Sequence, residues 1–258
     1  MVLPTSGVIT LNDVNVELGL SGTSAISMGD AAVRGLFGIA SGEIEMSDGH
    51  GKSDGVTGAF VGAVYSLNGT GSIAGWTPQA GDIVLFSCTT WAYDNPVGGF
   101  SAPSGYTMVN YKVSAAPWSG TYRASARLGY RICDGSENPA TLPRGYYGSA
   151  QGESFWTVYR FSQPVQSVSL AVNSGSTSYG GSATFAARSG PSLILVAGAG
   201  YNISSPWATT SPTQDYNYGA GNNQFASKLL DGNTSSSTSW STSSFYPATA
   251  YTVFSPSF

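Results

Sequence analysis

The chain has 258 residues, of which 41% are hydrophobic and only 9% charged, at a net charge of −4. That length accommodates one large all-β domain or two smaller ones with a sizeable core, and the scarcity of charge leaves solubility to hydroxyls and exposed backbone. Seven acids against Arg34 and Lys52 give residues 1–55 a balance of −5 and leave +1 for the rest, so the chain has no basic stripe and nucleic acid is excluded as its main ligand.

A near-neutral, aromatic-rich body fits an uncharged partner, a sugar or a protein. Cys88 and Cys133 fall in apparent strands and are too few for a disulfide framework or a zinc site, so they read as buried free thiols. The start lacks a basic stretch followed by an apolar one, and no apolar run approaches the ~18 residues of a membrane span. The chain is therefore expected to be used without an export signal of its own and without membrane insertion.

Near the start one pattern recurs: Ile9-Thr10-Leu11-Asn12-Asp13, Ile26-Ser27-Met28-Gly29-Asp30 and Ile44-Glu45-Met46-Ser47-Asp48. In the first two copies a Thr or Ser is followed three positions later by Asp, the arrangement that satisfies free N–H groups where a helix begins. Helices are expected over residues 11–18, ending at Gly19, and 28–37, ending at Gly38. Being short, they need something larger to pack on, the body or a neighbouring subunit. Leu11, Val14 and Leu18 form the apolar stripe for it. The third copy runs into Gly49 and Gly51, which argues against a long helix.

The sequence Leu3-Pro4-Thr5-Ser6-Gly7-Val8-Ile9-Thr10-Leu11, followed by Glu17-Leu18-Gly19, Ile26-Ser27-Met28 and Gly51-Lys52-Ser53, resembles the start of many tailed-bacteriophage virion proteins. In that group the segment is an attachment module ahead of variable fibre or adhesin domains. The resemblance covers residues 3–53. It implies virion attachment through Leu11, Val14, Leu18, Met28 and Arg34, and a virion location after assembly in the host cytoplasm. His50 is the sole histidine, so a His-based triad or multi-histidine metal site cannot be assembled within one chain. Gly49-His50-Gly51-Lys52-Ser53 lacks the spacing of a phosphate-binding loop and reads as a turn.

From about residue 56 the chain becomes short apolar or alternating runs separated by Gly, Pro, Asn, Asp and Ser. Strands are expected at 61–67, 83–88, 106–113, 127–133, 154–161, 165–172, 183–187, 192–197 and 251–254. The expected fold is mainly β, an antiparallel β-sandwich or jelly-roll-like domain over 56–258, preceded by a small segment, 1–55, with two short helices. Gly81-Asp82-Ile83-Val84-Leu85-Phe86, then Ala102-Pro103-Ser104-Gly105-Tyr106, and a second apolar strand from Ser192 resemble sandwich domains of phage tail-fibre and virion proteins. The second strand begins Gly190-Pro191 and lacks the Asp, so any internal duplication is blurred.

Asp82 reads as a turn residue bonding its own backbone rather than as a catalytic or calcium-binding group. The remaining acids of the body, Asp94, Asp134, Glu137, Glu153, Asp215 and Asp231, are scattered, and no signature pairs two of them as a glycosidase would require. Neither cofactor nor metal is expected. Residues 204–244 mix Ser, Thr, Gly and Asn with aromatics, a composition suited to recognition, because Tyr and Trp give rigid amphipathic area while Ser and Asn adapt their hydrogen bonds. Capping of the sandwich or filling of a subunit interface explains the same aromatics equally well. The candidate contact residues, taken as loop positions, are Trp91, Tyr93, Tyr146, Tyr147, Trp207, Tyr216 and Tyr218, with Trp156 assigned to the core.

The expected function is a structural component of a bacteriophage particle, of tail-fibre or spike type, that recognises a host-surface glycan. Its partners would be other virion proteins and copies of itself, as a homotrimer. A non-adhesive capsid decoration or tail-linking protein is the alternative. A polysaccharide depolymerase ranks third, because of the lone His and the scattered acids, and the chain is expected not to be an enzyme.

Overall fold

The computed structural model describes residues 3–4, 6–18, 20–50, 56–67, 69–93, 100–113, 122–144, 146–147, 152–176, 180–185, 191–201, 216–220, 223–230, 236–241 and 245–258. The protein is mainly β, with antiparallel sheets and two short helices. It divides into two compact units, Met1–Thr57 with Phe258, and Gly58–Ser257. Among the described residues no helix is long and apolar enough to cross a membrane.

In the first unit all three copies of the repeat make one local bond. The Asp carboxylate accepts the backbone N–H three residues back: Asp13 from Thr10 at 2.7 Å, Asp30 from Ser27 at 2.8 Å, Asp48 from Glu45 at 2.9 Å. Each tightened turn then feeds a different element. The first opens α1, Leu11–Glu17, through a complete capping box in which the Thr10 side chain also accepts from the Asp13 N–H. The second precedes α2, Ala31–Phe37, and the third opens a 3-10 turn, Met46–Gly49.

The Ile of each copy points into one core. Ile9 is buried with Leu3, Val14, Val33, Leu36 and Phe37, and Ile26 and Ile44 pack half-buried against them alongside Leu18, Met28 and Met46. Both helices thus pack on a core made within this unit. Two helix limits differ from expectation. α1 ends at Glu17, with Leu18 rather than Gly19 as the capping residue. α2 starts at Ala31 rather than Met28, because Asp30 closes the preceding turn and sits at the cap, leaving Met28 in that turn. Its end is as expected: Gly38 takes the left-handed conformation at φ 74° that a side chain would resist.

The second unit is a β-sandwich. One five-stranded sheet has the order β1 (Gly58–Leu67), β7 (Gly152–Phe161), β2 (Ala80–Tyr93), β5 (Tyr122–Asp134), β4 (Thr107–Val113). The other has the order β11 (Tyr216–Ala220), β12 (Asn223–Leu230), β10 (Ser192–Tyr201), β14 (Phe245–Ser257), β8 (Ser167–Ser176). Two-stranded ribbons β3 (Phe100–Ser101) with β6 (Tyr146–Tyr147), and β9 (Gly180–Phe185) with β13 (Ser236–Ser241), complete the described strands. The most apolar runs, in β2 and β10, occupy the two sheet centres, as burial on both faces requires.

Alternate residues of each sheet meet between the layers. Phe225 stacks on Phe155 at 5.1 Å and lies against Tyr65, Tyr130 meets Phe254 edge to face, and the buried Tyr159 hydroxyl bonds Ser227 at 2.8 Å. The opposite face of the first sheet carries a second apolar layer. Val84, Phe86, Cys88, Trp156 and Val158 lie there under Ile73, Trp76 and Leu142. Those three residues come from the β1–β2 and β5–β6 connections, which are joined to each other by reciprocal Gly71–Leu142 backbone bonds at 3.0 and 2.8 Å. Trp156 is fully buried, the core position expected of it, and its indole donates to the Pro143 carbonyl. Cys88 and Cys133 are buried thiols and form no disulfide.

Candidate functional site

The acids of the sandwich with described contacts hold turns. Asp82, 1% exposed, accepts from the Trp76 indole at 2.9 Å and the Gln79 N–H at 3.1 Å. Arg160 clamps both of its oxygens at 2.7 Å and donates to the Thr77 carbonyl as well. The preceding Gly81 has φ 87°, and a Cβ there would lie 2.5 Å from Pro164 Cα, so the motif is a latch of close-packed backbone. Glu137 likewise accepts the Asp134 and Gly135 N–H groups and pairs with Arg131 at 2.7 Å, closing the turn after β5. Glu153 is also described; Asp94, Asp215 and Asp231 lie outside the described residues. Among the described residues no group of three or more His, Cys, Asp or Glu is arranged to hold a metal ion. His50 ties the first unit by bonding the Gly7 carbonyl at 2.9 Å.

A different arrangement stands on the outer face of the first sheet. Cys88, Arg127 and Tyr111 are directly opposed across β2, β5 and β4, and opposed residues share a face. The Arg127 guanidinium lies 4.4 Å from the Phe100 ring centre and 5.1 Å from that of Tyr111. Phe100 packs on the apolar layer beneath, while Tyr111 is 61% exposed. Burial pushes the neighbouring Cys88 thiol up to about 12, against the Ser154 hydrogen bond and the positive charges of Arg127 and Arg144 that favour its thiolate. The result is an aromatic–guanidinium–aromatic stack seated on a rigid sheet, with an open ring at its outer end.

Sequence reasoning missed Phe100, Tyr111 and Arg127 because they lie on three strands whose pairing the order of residues does not show, and strict alternation misplaces Tyr111. Counting by twos from Met108, which packs on the outer layer, leads to Asn110 and leaves Tyr111 on the other face. The β4–β5 register shifts between Met108 and Asn110, and this bulge returns Tyr111 to the outer side while Asn110 turns to bond the Tyr251 carbonyl across the sandwich.

The expected contact aromatics are mostly on strands rather than loops. Trp91 and Tyr93 lie in the last turns of the β2 ladder, opposite Ala124 and Tyr122. Tyr146 and Tyr147 form β6 and pair with Ser101 and Phe100, which brings their backbone beside the stack. Tyr216 and Tyr218 belong to the edge strand β11, opposite Ser227 and Phe225. For these six only the backbone is described, and Trp207 lies outside the described residues.

The attachment residues also separate. Val14 and Leu18 pack on the core of the first unit with Met28, whereas Leu11 is 47% exposed, so the expected three-residue stripe is broken at its first member. Leu11 is the first residue of α1 and turns out to solvent there. Arg34 donates to the Gly42 carbonyl at 2.9 Å and to that of Ile39, fixing the chain that leaves α2.

No family model matches the chain, and comparisons with curated proteins and with solved structures found no match.

Proposed function

We propose that this protein is a non-enzymatic structural component of a bacteriophage particle, of tail-fibre or spike type, whose first unit attaches to other virion proteins and whose sandwich contacts a host-surface glycan. The observation that carries the reading is the separate first unit. Three Asp-tightened turns deliver three Ile side chains to one small core in the same residues that resemble virion attachment modules. Support for recognition comes from the Phe100–Arg127–Tyr111 stack, since aromatic rings and guanidinium planes offer sugars and proteins a rigid surface at low entropic cost. Self-association as a homotrimer would multiply weak contacts through effective concentration.

The test has two arms. Immunogold labelling of intact particles should place the protein at the tail or its fibres, and purified protein should bind a reproducible subset of a glycan array. Absence from particles overturns the virion assignment. Particle labelling with an empty array and no binding to host cells favours decoration instead. The place of Tyr216 and Tyr218 on an edge strand supports that second reading, because edges are where neighbouring subunits pair. Release of reducing sugar from host polysaccharide would overturn the non-enzymatic reading.

A further inference from the structure

We infer that Tyr111 is the stacking platform of a sugar subsite that takes the apolar face of a pyranose ring; this rests on the glycan-binding reading above. Three observations on the molecule lead there. The ring is 61% exposed, yet it is not loose, because β4 is paired along its length to β5 and the Arg127 guanidinium stands 5.1 Å from its centre. Its support is anchored in turn, since the same guanidinium stacks at 4.4 Å on Phe100, which packs on the apolar layer of the sheet. A ring held in this way has lost its freedom before any ligand arrives, so little ordering cost is charged to binding.

The third observation selects the ligand class. Among the described residues, Tyr111 is the only large hydrophobic side chain exposed on β4 or β5. A protein partner of ordinary affinity covers about 800 Å² per side with an apolar centre. A single ring, with Asn110 and Lys112 before and after it on the sheet's other face, does not supply that centre. It does match a single pyranose, whose axial C–H bonds form a small apolar face within a rim of hydroxyls that stay in contact with water. Stacking of this kind needs a flat π-face and leaves the ligand's charge free to vary, which suits a near-neutral sandwich.

The experiment compares wild type, Tyr111→Ala, Tyr111→Phe and the surface control Leu67→Ala, exposed on β1 at the opposite edge of the same sheet, on the same glycan array, with titration calorimetry on the strongest hit. Thermal melts check that all four fold. Tyr111→Ala should weaken binding by roughly tenfold. Tyr111→Phe should keep it within about twofold, because the π-face remains, and Leu67→Ala should leave it unchanged. Equal affinity of Tyr111→Ala and wild type overturns the subsite while glycan recognition stands. A wild type that binds no sugar overturns both. Binding to host cells that survives periodate oxidation of their sugars but is lost in Tyr111→Ala assigns the ring to a protein partner and overturns the sugar assignment.

Discussion

At the residue scale the sandwich depends on a few polar side chains whose bonds cross long stretches of chain. The Gly before Asp82 is enough to mark a turn, and the bond from Gln79 N–H bears that reading out. Its second role was illegible, because Arg160 is 78 residues away and nothing in the order of residues couples two adjacent strands. Asp82→Asn keeps an acceptor for Trp76 and Gln79 but removes the charge from under Arg160. With Asp82 buried and Arg160 part-exposed, the loss should be about 2 kcal/mol, below the full cost of splitting a buried pair, and a urea titration reads it as a lower midpoint at unchanged slope. A midpoint within error of wild type would mean that solvent already screens the clamp. Cys88 makes a second prediction. With its thiol pushed up to about 12, the folded protein holds the proton that the unfolded chain releases from about pH 8.5 upward, so stability declines as pH rises from there towards 12. At pH 8 neither buried cysteine should react with a thiol reagent, and both should react in denaturant; rapid native labelling would contradict the burial of the pair.

At the element scale the repeated Asp turns show how far a motif reaches. The spacing of Ser or Thr and Asp predicted two helix starts, and the Asp bond recurs in all three copies even where the following element is a 3-10 turn. What changes is the position of the Asp relative to the helix: Asp13 lies in the first turn of α1, whereas Asp30 is the cap ahead of α2, its N–H bonded to the Ser27 carbonyl. Asp13→Ala, Asp30→Ala and Asp48→Ala should each abolish hydrogen-exchange protection at the amide of Thr10, Ser27 or Glu45 respectively, while the exposed Glu43→Ala leaves all three unchanged. Unaltered protection in the Asp variants would remove the carboxylates from the account. Hydrogen bonds from Thr10 hold the Asp13 carboxyl below its ordinary range, so its contribution is present above about pH 3.9 and is lost as pH falls through the depressed value. Strands with apolar content were legible, though their ends were not: β2 extends from the expected 83–88 to Ala80–Tyr93, carrying Trp91 and Tyr93 into the ladder. β11, β12 and β13 lay hidden in the Ser- and Asn-rich stretch assigned to loops. Thr238-Ser239-Trp240 pairs with Gly181-Ser182-Ala183 through backbone bonds, and neither alternation nor propensity announces such a ribbon.

At the scale of the whole molecule, the two units bury separate cores. Every strand of both five-stranded sheets falls between Gly58 and Ser257, and so do the aromatic contacts that join the sheets and the apolar layer on the first sheet's outer face. The core of the first unit is drawn wholly from residues 3–46. A fragment of residues 58–258 therefore retains every ladder bond and every inter-sheet contact described for the sandwich, and should fold alone. The expected readings are a β-type far-ultraviolet spectrum, a near-ultraviolet signal from the buried Trp156 and Tyr159, and a single cooperative melt. The first unit is in the opposite situation. Of its six buried apolar side chains four sit on two seven-residue helices and two, Leu3 and Ile9, on the chain before them, and domains of this size are marginal because so little of their surface leaves water on folding. Isolated residues 1–57 should show only weak helicity by far-ultraviolet circular dichroism. The asymmetry itself is the prediction. If 58–258 precipitates or melts without cooperativity while the intact chain melts sharply, the sandwich depends on the first unit, and the proposed division between attachment and recognition cannot be built on two separately folded parts.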